Sequence, residues 1–209
     1  MRKMSVLIGM LFITFMVVPL YGQVDIGLIG GLNIANATID PDQGVDWESR
    51  TVFGVGGVLD YSLSEVMILN VEPMYLQKGT KAEDGDDKVE YKIDYIEVPV
   101  MFKYLFGSND LKPYVMTGPS IGILLNAKTD FTMDGFSDEV DIKDDTKSIN
   151  FSLGFGAGVS MPMGNKTVFV EARYALGLTN VNDDPEDTET DVKTKDIQIF
   201  AGFTFPFGN

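Results

Sequence analysis

The 209-residue sequence carries 31 acidic against 16 basic side chains, a formal net charge of −15, yet 44% of its residues are hydrophobic. So acidic a chain repels nucleic acid, whose binding needs a basic footprint. It has no Cys and no His, which excludes disulfides, thiol catalysis, Ser–His triads and zinc sites built on those residues, and no cofactor is expected.

Taken in chain order, Arg2 and Lys3 form a short basic start, Val6–Leu20 is almost continuously apolar, and Gly22 precedes Gln23. This layout predicts a secretory signal peptide over residues 1–22. The rival is a retained anchor helix over Met4–Tyr21, nearly long enough to span a bilayer. A strand-like pattern beginning at Val24 favours cleavage. No Cys follows the apolar run, so a bacterial lipid anchor at that position is excluded. Residues 23–209 fit one domain.

Eight strand-like segments follow, each with side chains sorted by period two. The first, about Val24–Ala35, groups Ile26, Leu28, Leu32 and Ile34. The second, about Thr51–Tyr61, groups Phe53, Val55, Leu59 and Tyr61 against Asp60. The third, about Val66–Lys78, sets Leu69, Val71 and Tyr75 against Asn70 and Glu72. The fourth, Tyr91–Phe106, is the most telling: Ile96, Val98, Val100, Phe102 and Tyr104 face one way, Tyr95, Glu97, Pro99, Met101 and Lys103 the other. The fifth, about Leu111–Asn126, sets Val115, Ile121, Ile123 and Leu125 against Gly118, Ser120 and Gly122. The sixth, about Ser148–Met161, puts Gly154, Gly156 and Gly158 on one face. The seventh, about Thr167–Asn180, sets Val168, Val170, Ala172, Tyr174 and Leu176 against Glu171 and Arg173. The eighth, about Asp196–Phe207, has a face with no charge at all. Pro73 and Pro99 fall inside strands, so a bulge or a missing ladder bond is expected at each.

One face wholly apolar and the other bearing isolated charges is the pattern of a barrel in a bilayer, apolar side outward. The connections agree. Ser62–Glu65, Gly107–Asp110 and Pro162–Lys166 are short; Asn36–Arg50, Gly79–Lys88, Ala127–Lys147 and Val181–Lys195 are long and hold most of the acidic residues. Short turns at one end and long loops at the other mark outer-membrane barrels, with the long loops outside the cell. The fold expected is therefore an all-β, eight-stranded antiparallel up-and-down transmembrane barrel. Trp47 and the many Tyr and Phe read as interfacial girdles and packing.

Tyr95–Tyr104, YIEVPVMFKY, resembles the fourth strand of Bacteroidota outer-membrane β-barrel proteins of the PorT family. Lys112-Pro113-Tyr114-Val115, Gly118-Pro119-Ser120-Ile121-Gly122, the Gly154–Gly158 run and Val170-Glu171-Ala172-Arg173-Tyr174 resemble that family's later strands. The resemblance implies a barrel inserted by the outer-membrane assembly machinery, localised to the cell outer membrane, in a family named for a gliding and secretion component. It implies no activity. The chain departs from barrels that end on an aromatic, since Gly208 and Asn209 follow Phe207.

Parity places Asn70, Glu72, Glu97, Lys103, Glu171 and Arg173 toward the lumen. An eight-stranded interior is just wide enough for side chains, and buried charges need partners. A filled, salt-bridged lumen is the packing interpretation. A narrow pore or proton path through Glu97 and Glu171 is the functional one. Paired-carboxylate glycoside chemistry is disfavoured, because so small a lumen admits no sugar chain. Catalytic, cofactor and metal sites are not assigned. Asp183-Asp184-Pro185-Glu186-Asp187 and Asp84-Gly85-Asp86-Asp87 lack EF-hand spacing. Divalent cations bridging the loops to lipopolysaccharide are the looser expectation, with outer-membrane lipid as the other partner. The favoured function is a non-enzymatic structural, binding or secretion-associated scaffold. Two alternatives stay open: a soluble lipocalin-like carrier of inverted polarity, and a pore or lipid-modifying enzyme, the enzyme weakened by the lack of His.

Overall fold

The structure, a computed structural model, describes residues 24–41, 44–107, 110–133, 135–187 and 189–208. The expected signal peptide lies outside the described residues. Ten strands are formed: β1 (Val24–Asp40), β2 (Glu48–Ser62), β3 (Met67–Val71), β4 (Met74–Asp84), β5 (Asp87–Leu105), β6 (Lys112–Met133), β7 (Phe136–Asp141), β8 (Ile149–Met163), β9 (Lys166–Gly177) and β10 (Asp191–Pro206). No helix occurs among the described residues.

The pairings make a ring. β3 and β4 lie end to end between β2 and β5; β5 pairs with β6, β6 with β8, and β8 with β9. β9 pairs with β10, β10 with β1, and β1 with β2, all antiparallel. The fold is an eight-stranded antiparallel barrel, with β3 and β4 as halves of one stave and β7 as a flap on β6. A closed barrel leaves no edge among its staves, which a spanning sheet requires because lipid offers no partner to a bare N–H or C=O.

Two prolines explain the divided stave. Glu72 donates its N–H to Pro99 O at 3.2 Å, and Gly57 donates to Pro73 O at 3.0 Å. In each antiparallel pair the return bond would have to come from a proline nitrogen, which carries no hydrogen. Both missing bonds fall on adjacent residues, one toward each neighbouring stave. The register does not slip: Val71 faces Val100 and Met74 faces Glu97. The interruption is thus a loss of two bonds rather than a bulge.

Side-chain facing is inside-out relative to a water-soluble protein. Leu28 is 58% exposed, Phe102 51%, Val170 53% and Ile199 46%, while Glu72, Lys78 and Glu171 on the opposite face are at 2% or less. A continuous apolar exterior of this extent has no place in water. It also reverses the polarity of a lipocalin-like carrier, whose apolar face lines the cavity.

The staves run longer than the sequence pattern suggested. β5 has 19 residues and β6 has 22, whereas about 9–11 tilted residues cross a bilayer. The segment 79–88, expected as a long loop, is mostly β4 and β5 turning tightly at Gly85, with φ 61°. The segment 127–147, also expected as a loop, continues β6 and returns as β7. Beyond the bilayer both faces of a strand meet water, so the alternation of apolar and polar residues that betrays a strand disappears.

Candidate functional site

The lumen is filled by two charge groups, stacked along the barrel axis. The lower one forms around Arg173 of β9. Its Nη2 contacts both Glu72 at the end of β3 and Glu171, two residues back on its own strand. Lys103 of β5 places Nζ 3.5 Å from Glu72 Oε1, 3.5 Å from Glu171 Oε2 and 4.0 Å from Asp60 Oδ1. Tyr114 donates its hydroxyl to Glu171 Oε2 at 2.6 Å, and Asn70 Nδ2 donates to Asp60 Oδ1 at 2.7 Å. Three carboxylates meet two cations, and aromatic faces take up part of the positive charge: Lys103 lies 5.0 Å from the Phe169 centroid and Arg173 5.4 Å from that of Phe200. Such contacts strengthen where water is excluded.

The upper group centres on Lys78 of β4. Its Nζ lies 2.7 Å from Glu97 Oε2 and 3.0 Å from Asp196 Oδ2, with all three side chains buried. Tyr95, wholly buried, lies beside it, Nζ being 5.9 Å from the ring centroid. All six residues singled out from the sequence thus lie within the barrel. Asn70, Glu72, Lys103, Glu171 and Arg173 share the lower group, and Glu97 belongs to the upper one. The sequence reading did not single out Lys78, Asp196, Asp60 and Tyr114, which complete the two groups.

Glycines make room for these side chains. A Cβ on Gly158 would fall 2.5 Å from Tyr114 Cζ, and one on Gly156 would fall 3.0 Å from Arg173 Cγ. The glycine run of β8 is therefore the wall against which Tyr114 and Arg173 lie. A small cavity of about 10 Å³ lies between the two charge groups, bordered by Glu97, Met101, Arg173 and Gln198, with room for one water at most. Larger cavities open at each end. The lower one, about 450 Å³, is bordered by Asp25, Asp60, Lys103 and Tyr114. The upper one, about 330 Å³, lies among the long connections.

Trp47, expected in a lipid girdle, is instead part of this upper mouth. It packs on Tyr91 with ring centroids 5.5 Å apart, tilted by 53°. Both rings are half-buried. Among the described residues, no three acidic side chains come together as a metal site.

An inside-out barrel with a charged, packed lumen defines the class of transmembrane outer-membrane barrels. Residues 16–183 match the family described as outer membrane protein beta-barrel domain, and the chain belongs to that family. Its fold is similar to that of Neisserial surface protein A, at TM-score 0.50 and 16% identity, covering 88% of this chain and 97% of that one. Ail, the attachment invasion locus protein of Yersinia pestis, is similar at TM-score 0.41 and 18% identity over 88% of this chain and 99% of its own. OprG of Pseudomonas aeruginosa is similar at 0.44 and 12% identity, over 90% and 97%. No curated protein matches the chain.

Proposed function

We propose that this protein is a non-conducting, non-enzymatic outer-membrane scaffold of the PorT kind, exported from a bacterium of the Bacteroidota by a cleaved leader at residues 1–22, that acts through its outward end. The observation that carries this reading is the plug: two buried charge groups occupy the lumen, with a cavity of about 10 Å³ between them. Glu97 and Glu171, the candidates for a proton path or for catalysis, are tied to Lys78, Arg173 and Tyr114 and are 2% exposed. A general acid or base must reach its substrate, and these two cannot. Bilayer recording tests the plug. Purified barrel in planar membranes is expected to give a flat baseline, and stepwise openings in the unmodified protein would overturn it.

The acidic outward connections support a second part of the proposal, contact with anionic lipopolysaccharide through bridging divalent cations. Chelation should then release lipopolysaccharide that co-purifies with the barrel. Retention of the same amount after chelation would count against it.

A further inference from the structure

The upper mouth is built like a receptor site, and we infer that it binds a small organic cation with an alkylammonium head. The inference rests on the cavity, its walls and its charge, and holds whether or not the protein is a secretion scaffold. At about 330 Å³ the cavity falls within the size range of small-molecule sites. One wall is the tilted pair of Trp47 and Tyr91. Two aromatic faces meeting at an angle make a corner that attracts a quaternary or alkylated ammonium through the ring quadrupoles.

The facing wall is pre-formed by two connections bonded to each other. Lys147 donates its backbone N–H to Val181 O at 2.9 Å, Asp183 donates to Asp145 O at 2.9 Å, and Val181 donates to Val192 O at 2.8 Å. Thr146 and Asn182 form a bridge between the same two segments, and the Lys147 side chain meets Asp183 Oδ1 at 3.0 Å. Loops tied in this way need little ordering when a ligand arrives, which favours binding.

Charge selects the ligand. Asp145, Asp184 and Asp187 border the cavity, and no Lys or Arg does among the described residues. The nearby Arg50 is committed elsewhere, to Glu90 Oε1 at 2.6 Å and Lys78 O at 2.8 Å. An anion would meet three carboxylates with no counter-charge. Asp184 Oδ1 accepts from the Glu186 N–H and Asp187 Oδ1 from the Thr190 N–H, bonds that leave the negative charge in place; a neutral apolar molecule would fit the rings without balancing that charge. A cation with an apolar shell satisfies both walls.

Trp47 is the chain's single tryptophan, so emission excited beyond the tyrosine absorption band reports on this cavity. Full-length protein in an uncharged maltoside detergent would be titrated with choline, and separately with 3,3-dimethylbutan-1-ol, its uncharged isostere, at constant ionic strength. The expected result is a saturable change in Trp47 emission with choline and a response at least about tenfold weaker with the alcohol. Choline binding should weaken in Asp145→Asn/Asp184→Asn and in Tyr91→Leu, and survive in Tyr91→Phe. Unchanged heat-modifiable gel migration shows that each variant is folded, and the choline–alcohol comparison on the unmodified protein stands without any of them. No emission change with choline, equal responses to the two compounds, or full binding in the folded double variant would each overturn the inference.

Discussion

Arg173 is the residue on which the lower charge group turns. It contacts Glu72 and Glu171 at once, so its removal leaves two buried carboxylates short of a partner. Breaking a buried ion pair from one side costs about 3–5 kcal/mol. Arg173→Ala should therefore lower the melting temperature in detergent by roughly 10 °C, while Lys143→Ala, at an exposed position in the outer connection, should leave it unchanged. Equal melting temperatures would contradict the network. Gly158→Ala tests the wall behind Tyr114: a methyl 2.5 Å from Tyr114 Cζ and 2.7 Å from Val170 O cannot be absorbed without moving the ring. The tyrosine's bond to Glu171 should be lost, at a cost of about 1–3 kcal/mol, and the tyrosine ring resonances should shift. At this scale parity was informative. It set Asn70, Glu72, Glu97, Lys103, Glu171 and Arg173 on one side, and the structure places them at 0–5% exposure. Lys78 shares the parity of Glu72, and Asp196 that of Gln198. Both sat at the ends of their strands as read from sequence, where a charge passes for the start of a loop. Tyr114 shares the parity of Gly118 and Ser120, which points it inward; it was passed over because an aromatic in a barrel suggests a girdle, and parity does not name its partner Glu171.

At the scale of elements, the divided third stave follows from Pro73 and Pro99, each accepting a bond it cannot return. Pro99→Ala should supply the missing donor to the Glu72 carbonyl, so that the new amide at this position exchanges slowly in spectra of the intact barrel. Rapid exchange there would mean that the two strands are not opposed as described. The outer end of the β4–β5 hairpin is held differently, by charges outside the membrane. A hydrogen bond from Lys81, helped by the charge of Lys88, holds the Glu83 carboxyl below its ordinary range. Burial works to raise Glu90, but bonds from Arg50 and Lys88 outweigh it and hold that carboxyl low as well. A carboxylate depressed in the folded state contributes stability above its unfolded pKa and loses it as pH falls through the folded value. The hairpin tip should then keep its amide protection at neutral pH and lose it in acid, below the ordinary carboxylate range, after correction for intrinsic exchange. Protection independent of pH would show that backbone pairing alone holds the tip. The sequence disclosed eight staves but not their true lengths. Where β5 and β6 leave the bilayer, residues such as Lys88, Glu90, Lys92, Lys128 and Asp130 face water or each other. Without apolar alternation, backbone pairing there leaves no trace in hydropathy.

For the whole molecule, one physical asymmetry accounts for the rest. Lipid wets the apolar exterior, so the polar and charged side chains that a spanning chain carries must satisfy each other within, and in eight staves they fill the interior. On the function proposed above it is the outward end that acts, where connections are long, acidic and bonded to one another. The absence of Cys from the chain makes the central asymmetry directly measurable. A single nitroxide-labelled Cys would be placed in turn at Phe102, Val170 and Ile199, with the protein reconstituted in liposomes. Each label should be strongly relaxed by oxygen, which concentrates in hydrocarbon, and hardly at all by a water-soluble nickel chelate. Relaxation by the chelate and not by oxygen at these three positions would place them in water and contradict the barrel's orientation in the membrane.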